Sequence, residues 1–519
     1  MAEDESGKRP MAHTTTLGIA VAAGVIVLAL VVTLVVVLVQ RNDSVTANRA
    51  GTESVPEGLE EFYQQDVDWK NCDDGECADV TVPIDYEVPD GKTLTLAVKR
   101  VPAKSDDARG PLLINPGGPG APGISFLSVF ESQASDTVRQ HFDLIGFDPR
   151  GTGDSTPLKC FDDETLDEFN ASDPTPDDPG EIKEAREWVT RLGEACQENS
   201  GELAAHVSTE ETARDMDVLR SVLGARKMDY YGASYGTQLG ATYATLFPEK
   251  AGRMVLDGAV DPSLDAIDFA KGQNDGFQRA LDAYLKSCAS DDSCPLGSDT
   301  GAIETKLRNF LDDLDEDPLT VDDRKLTEGL AMYGIAVTLY NKESWESLTL
   351  ELAAALEGNG AMMLRLSDAY FDRGADGTYK NNSTEANIAI SCMDEQEDVS
   401  VSEVKSVIPE FEKTSPVFGS FMAWGTMACG QWPIEAKHPQ PEIDAADADP
   451  ILVVGTTRDP ATPYEWSKAL RDQLGSGVLL TREGDGHTGY HQGSDCTDTA
   501  IDDYLVEGEV PDDGTTCEE

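Results

Sequence analysis

From residue 17 to 39 the chain is almost unbroken apolar, and from 41 to 58 it is polar. Beyond residue 59, short apolar runs alternate with amphipathic stretches. Pro111-Leu-Leu-Ile-Asn115 and Phe142 to Phe147 read as buried strands. Ser208 to Glu211 has the S-x-x-E form of a capping box, and Ala213, Met216, Leu219, Val222 and Leu223 follow at helical spacing. Gly224 then suits a helix C-cap. Met228 to Tyr231 reads as a strand, followed by a sharp turn and a helical stretch from Gln238 to Phe247. Met254 to Leu256, Ile451 to Val454 and Gly477 to Leu480 are further strands, the last of these closing the series. Strands alternating with helices predict a mostly parallel sheet with right-handed crossovers.

Residues 262–440 break that rhythm. They carry helical patterning and many aromatics, among them Tyr333, Trp345, Tyr370, Phe371, Phe418, Trp424 and Trp432. The expected organisation is a polar tail (1–16), a membrane-spanning segment (17–40), a linker (41–58), a first catalytic part (59–261), a helical lid (262–440) and a C-terminal catalytic part (441–519). The apolar run is long enough to span a bilayer, and Lys8 and Arg9 before it favour a cytoplasmic N-terminus. It reads as a single-pass anchor with the catalytic part outside the cell; the alternative is a signal peptide and secretion.

Charge narrows the partners. With 97 acidic residues against 40 basic, the formal charge is -57. Such a surface repels nucleic acid and anionic lipid, so contact with the membrane is expected through the N-terminal segment only. All ten cysteines follow the apolar run, an even number suited to disulfides in an exported domain. Short spacings suggest Cys72 with Cys77 and Cys288 with Cys294. Cys496 with Cys517, Cys160 with Cys196 and Cys392 with Cys429 would complete the set. No C-x-x-C pair or Cys/His cluster points to zinc, and the acidic run 312–317 lacks the spacing of a calcium loop. No cofactor or metal is expected.

The strongest chemical signal is Gly232-Ala-Ser-Tyr-Gly236, a G-x-S-x-G pattern with a strand before it and a helix after it. Glycines allow a tight turn that presents Ser234 at the top of the sheet. A serine hydroxyl needs a base. Of the six histidines, only His487 and His491 follow the later strands, and His487 lies in a loop just after Gly477 to Leu480. The acid is expected after the preceding strand, where Asp459 stands; Asp485 is too near His487 in sequence. Two backbone N–H groups should form the oxyanion hole, one from Tyr235 and one from the loop Asn115-Pro-Gly-Gly-Pro-Gly120. Pro116 and Pro119 have no N–H to give, and of Gly117 and Gly118 the expected donor is Gly118.

Together, Asn115-Pro-Gly-Gly-Pro-Gly120, Asp148-Pro-Arg-Gly-Thr-Gly-Asp-Ser155, Gly232-Ala-Ser-Tyr-Gly-Thr237, Ala389-Ile-Ser-Cys-Met-Asp394, Cys429-x-x-Trp432-Pro433 and the C-terminal cysteine pair resemble the secreted tripeptidyl aminopeptidases of actinobacteria, relatives of the prolyl aminopeptidases. The resemblance runs from about Trp69 to Cys517. It implies an α/β-hydrolase fold with a helical lid, and release of short peptides, often tripeptides, from free N-termini of peptides or proteins. Such an enzyme must hold a substrate ammonium, and Asp394 and Glu395 at the late edge of the lid are candidates. Many family members are lipoproteins or cleaved secreted proteins, whereas this chain keeps a long apolar segment. The same three residues also serve a cell-envelope esterase, lipase or acyl-transferase, and a catalytically inactive binding module is a third reading.

Overall fold

In a computed structural model, residues 55–105, 108–292 and 294–518 are described. The segment expected to span a membrane lies outside them. Among the described residues, no helix is long and apolar enough to cross a bilayer.

The strands are β1 (Lys70–Cys72), β2 (Gly75–Pro83), β3 (Thr93–Val101), β4 (Gly110–Asn115), β5 (Phe142–Phe147), β6 (Met228–Ala233), β7 (Ala251–Asp257), β8 (Leu319–Val321), β9 (Arg324–Leu326), β10 (Ile451–Arg458), β11 (Gly477–Asp485) and β12 (Thr515–Glu518). Ten of them form one sheet in the order β1-β2-β3-β5-β4-β6-β7-β10-β11-β12, and β8 and β9 form a separate hairpin. From β5 onward the pairs are parallel, while β1, β2 and β3 add an antiparallel edge. Central strands with helices on both faces must be apolar throughout, and every residue of β6 is buried.

The antiparallel edge and β12 depart from the expected strand set. β2 shows a half-buried alternation, with Ala78, Val80 and Val82 inward and Asp79 and Thr81 outward. β12 has no apolar run; it pairs with β11 through Leu480 to Glu483 and is tied back by the Cys496–Cys517 disulfide. The series therefore ends one strand later than Gly477 to Leu480. The other four disulfides join Cys72 to Cys77, Cys160 to Cys196, Cys288 to Cys294 and Cys392 to Cys429.

Between β7 and β10 the described residues form eight α-helices, from Ala266–Ala289 to Gly419–Gly425. This insertion has a hydrophobic cluster of its own, built on Leu281, Ile335, Leu348, Trp345, Phe371 and Phe418. Its aromatics mostly stabilise the insertion itself: Tyr333 stacks on Tyr370 at 4.9 Å and meets Phe371 edge-on. The helix Ser383–Asp394 reaches the sheet side. Asn382 donates to the carbonyls of Gly151 and Leu158, and Asn387 donates to Pro119 O at 3.1 Å.

Candidate active site

Ser234 stands between β6 and the helix Tyr235–Leu246 with φ 57° and ψ -128°. A non-glycine residue in that region is strained, and such strain persists only where its surroundings enforce it. Here they do. The Ser234 N–H donates to Asp257 O at 2.9 Å, and the Ser234 carbonyl accepts from both the N–H and the hydroxyl of Thr237. The flanking glycines are required by space. A methyl group on Gly232 would lie 2.4 Å from Gly236 O, and one on Gly236 would lie 2.9 Å from Asn115 Oδ1.

The Gly/Pro loop after β4 lies directly on this turn. Asn115 pairs with Gly232 across the sheet. A methyl group on Gly117 would meet Ala233 O at 2.5 Å and Tyr235 N at 2.9 Å. The N–H of Gly117 is committed, donating to Asn115 Oδ1 at 2.9 Å. Gly118 N–H has no acceptor among the described residues, and Tyr235 N–H, at the first position of its helix, has no intrahelical partner. These two donors are uncommitted beside the Ser234 turn.

Asp459, fully buried, follows β10, and His487 follows β11. Both Asp459 oxygens lie 2.9 Å from His487 Nδ1. The carboxylate is fixed from behind by the N–H groups of Ala461 and Thr462, each at 2.9 Å, and of Thr488 at 3.1 Å. The ring stands over the end of β7, where a methyl group on Gly258 would be 3.3 Å from His487 Cε1. That is the strand end whose Asp257 carbonyl holds the Ser234 N–H. His487 Nε2 is buried and has no hydrogen-bond partner among the described residues, not even Ser234 Oγ; bonds of this kind are commonly loose before substrate binds. Burial alone would draw the imidazole pKa down. The charge and hydrogen bond of Asp459, with Asp257 behind it, outweigh burial and leave it above the ordinary 6.5.

His491 does not reach this pair: its Nδ1 faces Asp498 at 3.5 Å. Asp485 is bound to Arg458 at 2.5 and 3.0 Å. Asp394 is buried and both its oxygens are occupied by Thr209, one by the N–H at 2.7 Å and one by the hydroxyl at 2.6 Å. The same hydroxyl contacts the phenol of Tyr235, so Asp394 supports the residue next to Ser234. The exposed Glu395 side chain makes no hydrogen bond to any described residue. Desolvation by the surrounding protein, and after it the charges of Glu397 and Asp265, push its carboxyl up to about 7 even though the side chain reaches the surface.

Three contributors have no local sequence signal. Asp257 ends β7 fully buried and accepts from Tyr231 OH and from the N–H groups of Gly489 and Tyr490, fixing the loop that carries His487. Thr462 places its hydroxyl 3.3 Å from His487 Nδ1. Tyr340, from the insertion, accepts the His487 N–H at 2.8 Å and sets its ring edge-on to the imidazole. The Asp148–Ser155 motif, by contrast, is architectural. Arg150 is fully buried in a two-pronged pair with Asp215 at 2.7 and 2.8 Å, and also donates to three backbone carbonyls.

A family model described as TAP-like protein matches residues 415–517. Serine protease Hip1 of Mycobacterium tuberculosis (strain ATCC 25618 / H37Rv) is 36% identical over 463 residues, covering 85% of this chain and 87% of the relative. Carboxylesterase B of the same strain is 36% identical over 454 residues, covering 85% and 86%. Tripeptidyl aminopeptidase of Streptomyces coelicolor is 29% identical over 468 residues, covering 87% and 86%.

Proposed function

The chain belongs to the tripeptidyl-aminopeptidase-like family of α/β-hydrolases and is a serine hydrolase, and on that premise we propose that it is an exopeptidase acting outside the cell, releasing short peptides, tripeptides by kinship, from free N-termini. The observation that carries this reading is the Asp459–His487 pair standing over the strand end that holds the Ser234 turn.

In this mechanism His487 takes the proton of Ser234 as Oγ attacks the peptide carbonyl. Asp459 holds the ring with Nε2 turned to that task and stabilises the imidazolium. The N–H groups of Tyr235 and Gly118 receive the developing oxyanion. His487 then protonates the leaving amine, and water releases the peptide from Ser234. Glu395, with Glu397 and Asp265 beside it, attracts the substrate ammonium. Five disulfides support an oxidising location, and residues 17–39 would serve as the anchor.

A second reading is favoured by the relative named Carboxylesterase B: the same groups cleave an ester of the cell envelope. Comparing a free tripeptide anilide, its N-acetylated twin and a short aryl ester separates the two. Rapid cleavage of the free peptide alone supports the exopeptidase. Cleavage of the ester without either peptide supports the esterase.

A further inference from the structure

Away from Ser234, one side-chain cluster is left without a task by the hydrolase. Asp85 in the loop after β2, His206 just before the helix Thr209–Val222, and His438 in the segment leading out of the insertion each turn one ligand atom toward the others. All these atoms lie within 4.8 Å of one another. No hydrogen bond or ion pair joins Asp85 to either ring. The two imidazoles do not stack, with centroids 6.4 Å apart and planes tilted by 44°. A carboxylate and two imidazoles that converge without closing on each other leave room for an ion. Ligands about 2.1 Å from a tetrahedral zinc would sit roughly 3.4 Å apart, a contraction of at most about 1.4 Å from the present spread.

The surroundings are those of a metal site. His206 Nδ1 is hydrogen-bonded to Glu211 Oε1 at 2.6 Å, and His438 Nδ1 lies 3.1 Å from Glu210 Oε2. A histidine whose one nitrogen is fixed by a carboxylate presents the other, here Nε2, in a set direction and with added basicity. Asp85 uses Oδ1 for the Glu87 N–H at 2.7 Å, which leaves Oδ2. Two cations stand near. Arg150 is bound to Asp215 and also lies 3.6 Å from Glu211 Oε1, and Arg214 is bound to Glu210 Oε1. The carboxylates Asp85, Glu210, Glu211 and Asp215 outnumber them, so a divalent cation is favoured.

We propose that Asp85, His206 and His438 bind one zinc ion, with water completing the shell, and that this ion fastens the end of the helical insertion to the catalytic core. The role is structural: none of the three ligands hydrogen-bonds to Ser234, Asp459 or His487. The ion would lock a segment that already touches the core nearby, where Gln440 Nε2 donates to Thr242 Oγ1 at 2.8 Å. The ligands come from three distant parts of the chain, so no spacing motif announces them. The inference stands whether the enzyme cleaves peptides or esters.

The test uses the full chain, stripped with a chelator and titrated calorimetrically with Zn²⁺ in excess Mg²⁺, which occupies the acidic surface. The expected result is one Zn²⁺ per chain and a raised thermal midpoint. Glu210→Gln, which removes no ligand but weakens the ring support and the pair with Arg214, should weaken binding roughly 10- to 100-fold. His438→Gln and Asp85→Asn, which lose a ligand, should weaken it more. Both positions are part-exposed, and retention of circular dichroism and phosphonate labelling at Ser234 shows that the variants fold. No stoichiometric uptake by the wild type, or His438→Gln binding as tightly as the wild type, overturns the proposal.

Discussion

The backbone carbonyl of Tyr340 accepts the N–H of His487 at 2.8 Å, and the phenol ring meets the imidazole edge-on at 5.1 Å. The imidazole is thus held from two sides, by Asp459 of the sheet and by a residue of the helical insertion. Edge-to-face aromatic pairs contribute about 0.5–1.5 kcal/mol beyond burial. Tyr340→Ala is therefore expected to lower kcat about 2- to 10-fold while leaving the backbone bond in place. Steady-state kinetics on a tripeptide anilide checks this; an unchanged kcat would mean the ring plays no part in holding the imidazole.

In the proposed mechanism the Asp459–His487 pair sets the pH profile. His487 must be neutral to accept the serine proton, and its pKa lies above 6.5. The rising limb of kcat/KM is expected on the alkaline side of that value. Stability moves the other way. A histidine whose pKa is raised by folding contributes fully below its unfolded pKa, and the contribution is lost as pH climbs through the folded one. Asp459→Asn should cost about 10⁴-fold in kcat, as loss of the orienting acid does elsewhere, and move the limb to lower pH. A limb that stays put would detach Asp459 from the base.

Asp394 and Glu395 are neighbours with different surroundings, and their variants should separate accordingly. Glu395→Gln is expected to raise KM for a free peptide several-fold and leave an aryl ester unaffected. Asp394→Asn should leave selectivity alone and act on stability. Burial pushes the Asp394 carboxyl up to about 7, against the pull of its two Thr209 donors. The folded state then holds a proton that the unfolded state has released, so this group's contribution declines as pH rises from about 3.8 toward 7. Urea unfolding of variant and wild type at pH 5 and pH 8 should show the variant gaining relative stability at the higher pH.

At the C-terminus, β12 buries only Cys517. Removing the Cys496–Cys517 bridge, which closes a 21-residue separation, should cost about 3 kcal/mol by loop-closure entropy. The urea midpoint of Cys496→Ser with Cys517→Ser, beside the oxidised wild type, measures this.

What could be read from the sequence was local. The nucleophile turn announces itself because two glycines, a strand and a helix must be consecutive, and β5 falls at the residues its apolar run marks. Asp459 and His487 could be singled out because each sits just past a buried strand, and the structure brings them within 2.9 Å of each other. The antiparallel edge was missed although β2 carries a clean alternation. β12 was missed because four polar-leaning residues carry no periodicity. Asp257, Tyr340 and the Asp85–His206–His438 cluster were out of reach for one shared reason: their meaning is a contact between distant segments, and each alone looks like an ordinary strand end, core tyrosine or loop residue.

The most direct measurement follows products. The oxidised protein is incubated with a short unstructured peptide bearing a free N-terminus, and the fragments are read by mass spectrometry over time, with Ser234→Ala as the blank. Successive loss of three-residue pieces from the N-terminus, absent in the variant and on the acetylated peptide, is the expected result. Internal cleavage, release of single residues, or an unchanged peptide beside rapid ester hydrolysis would contradict it.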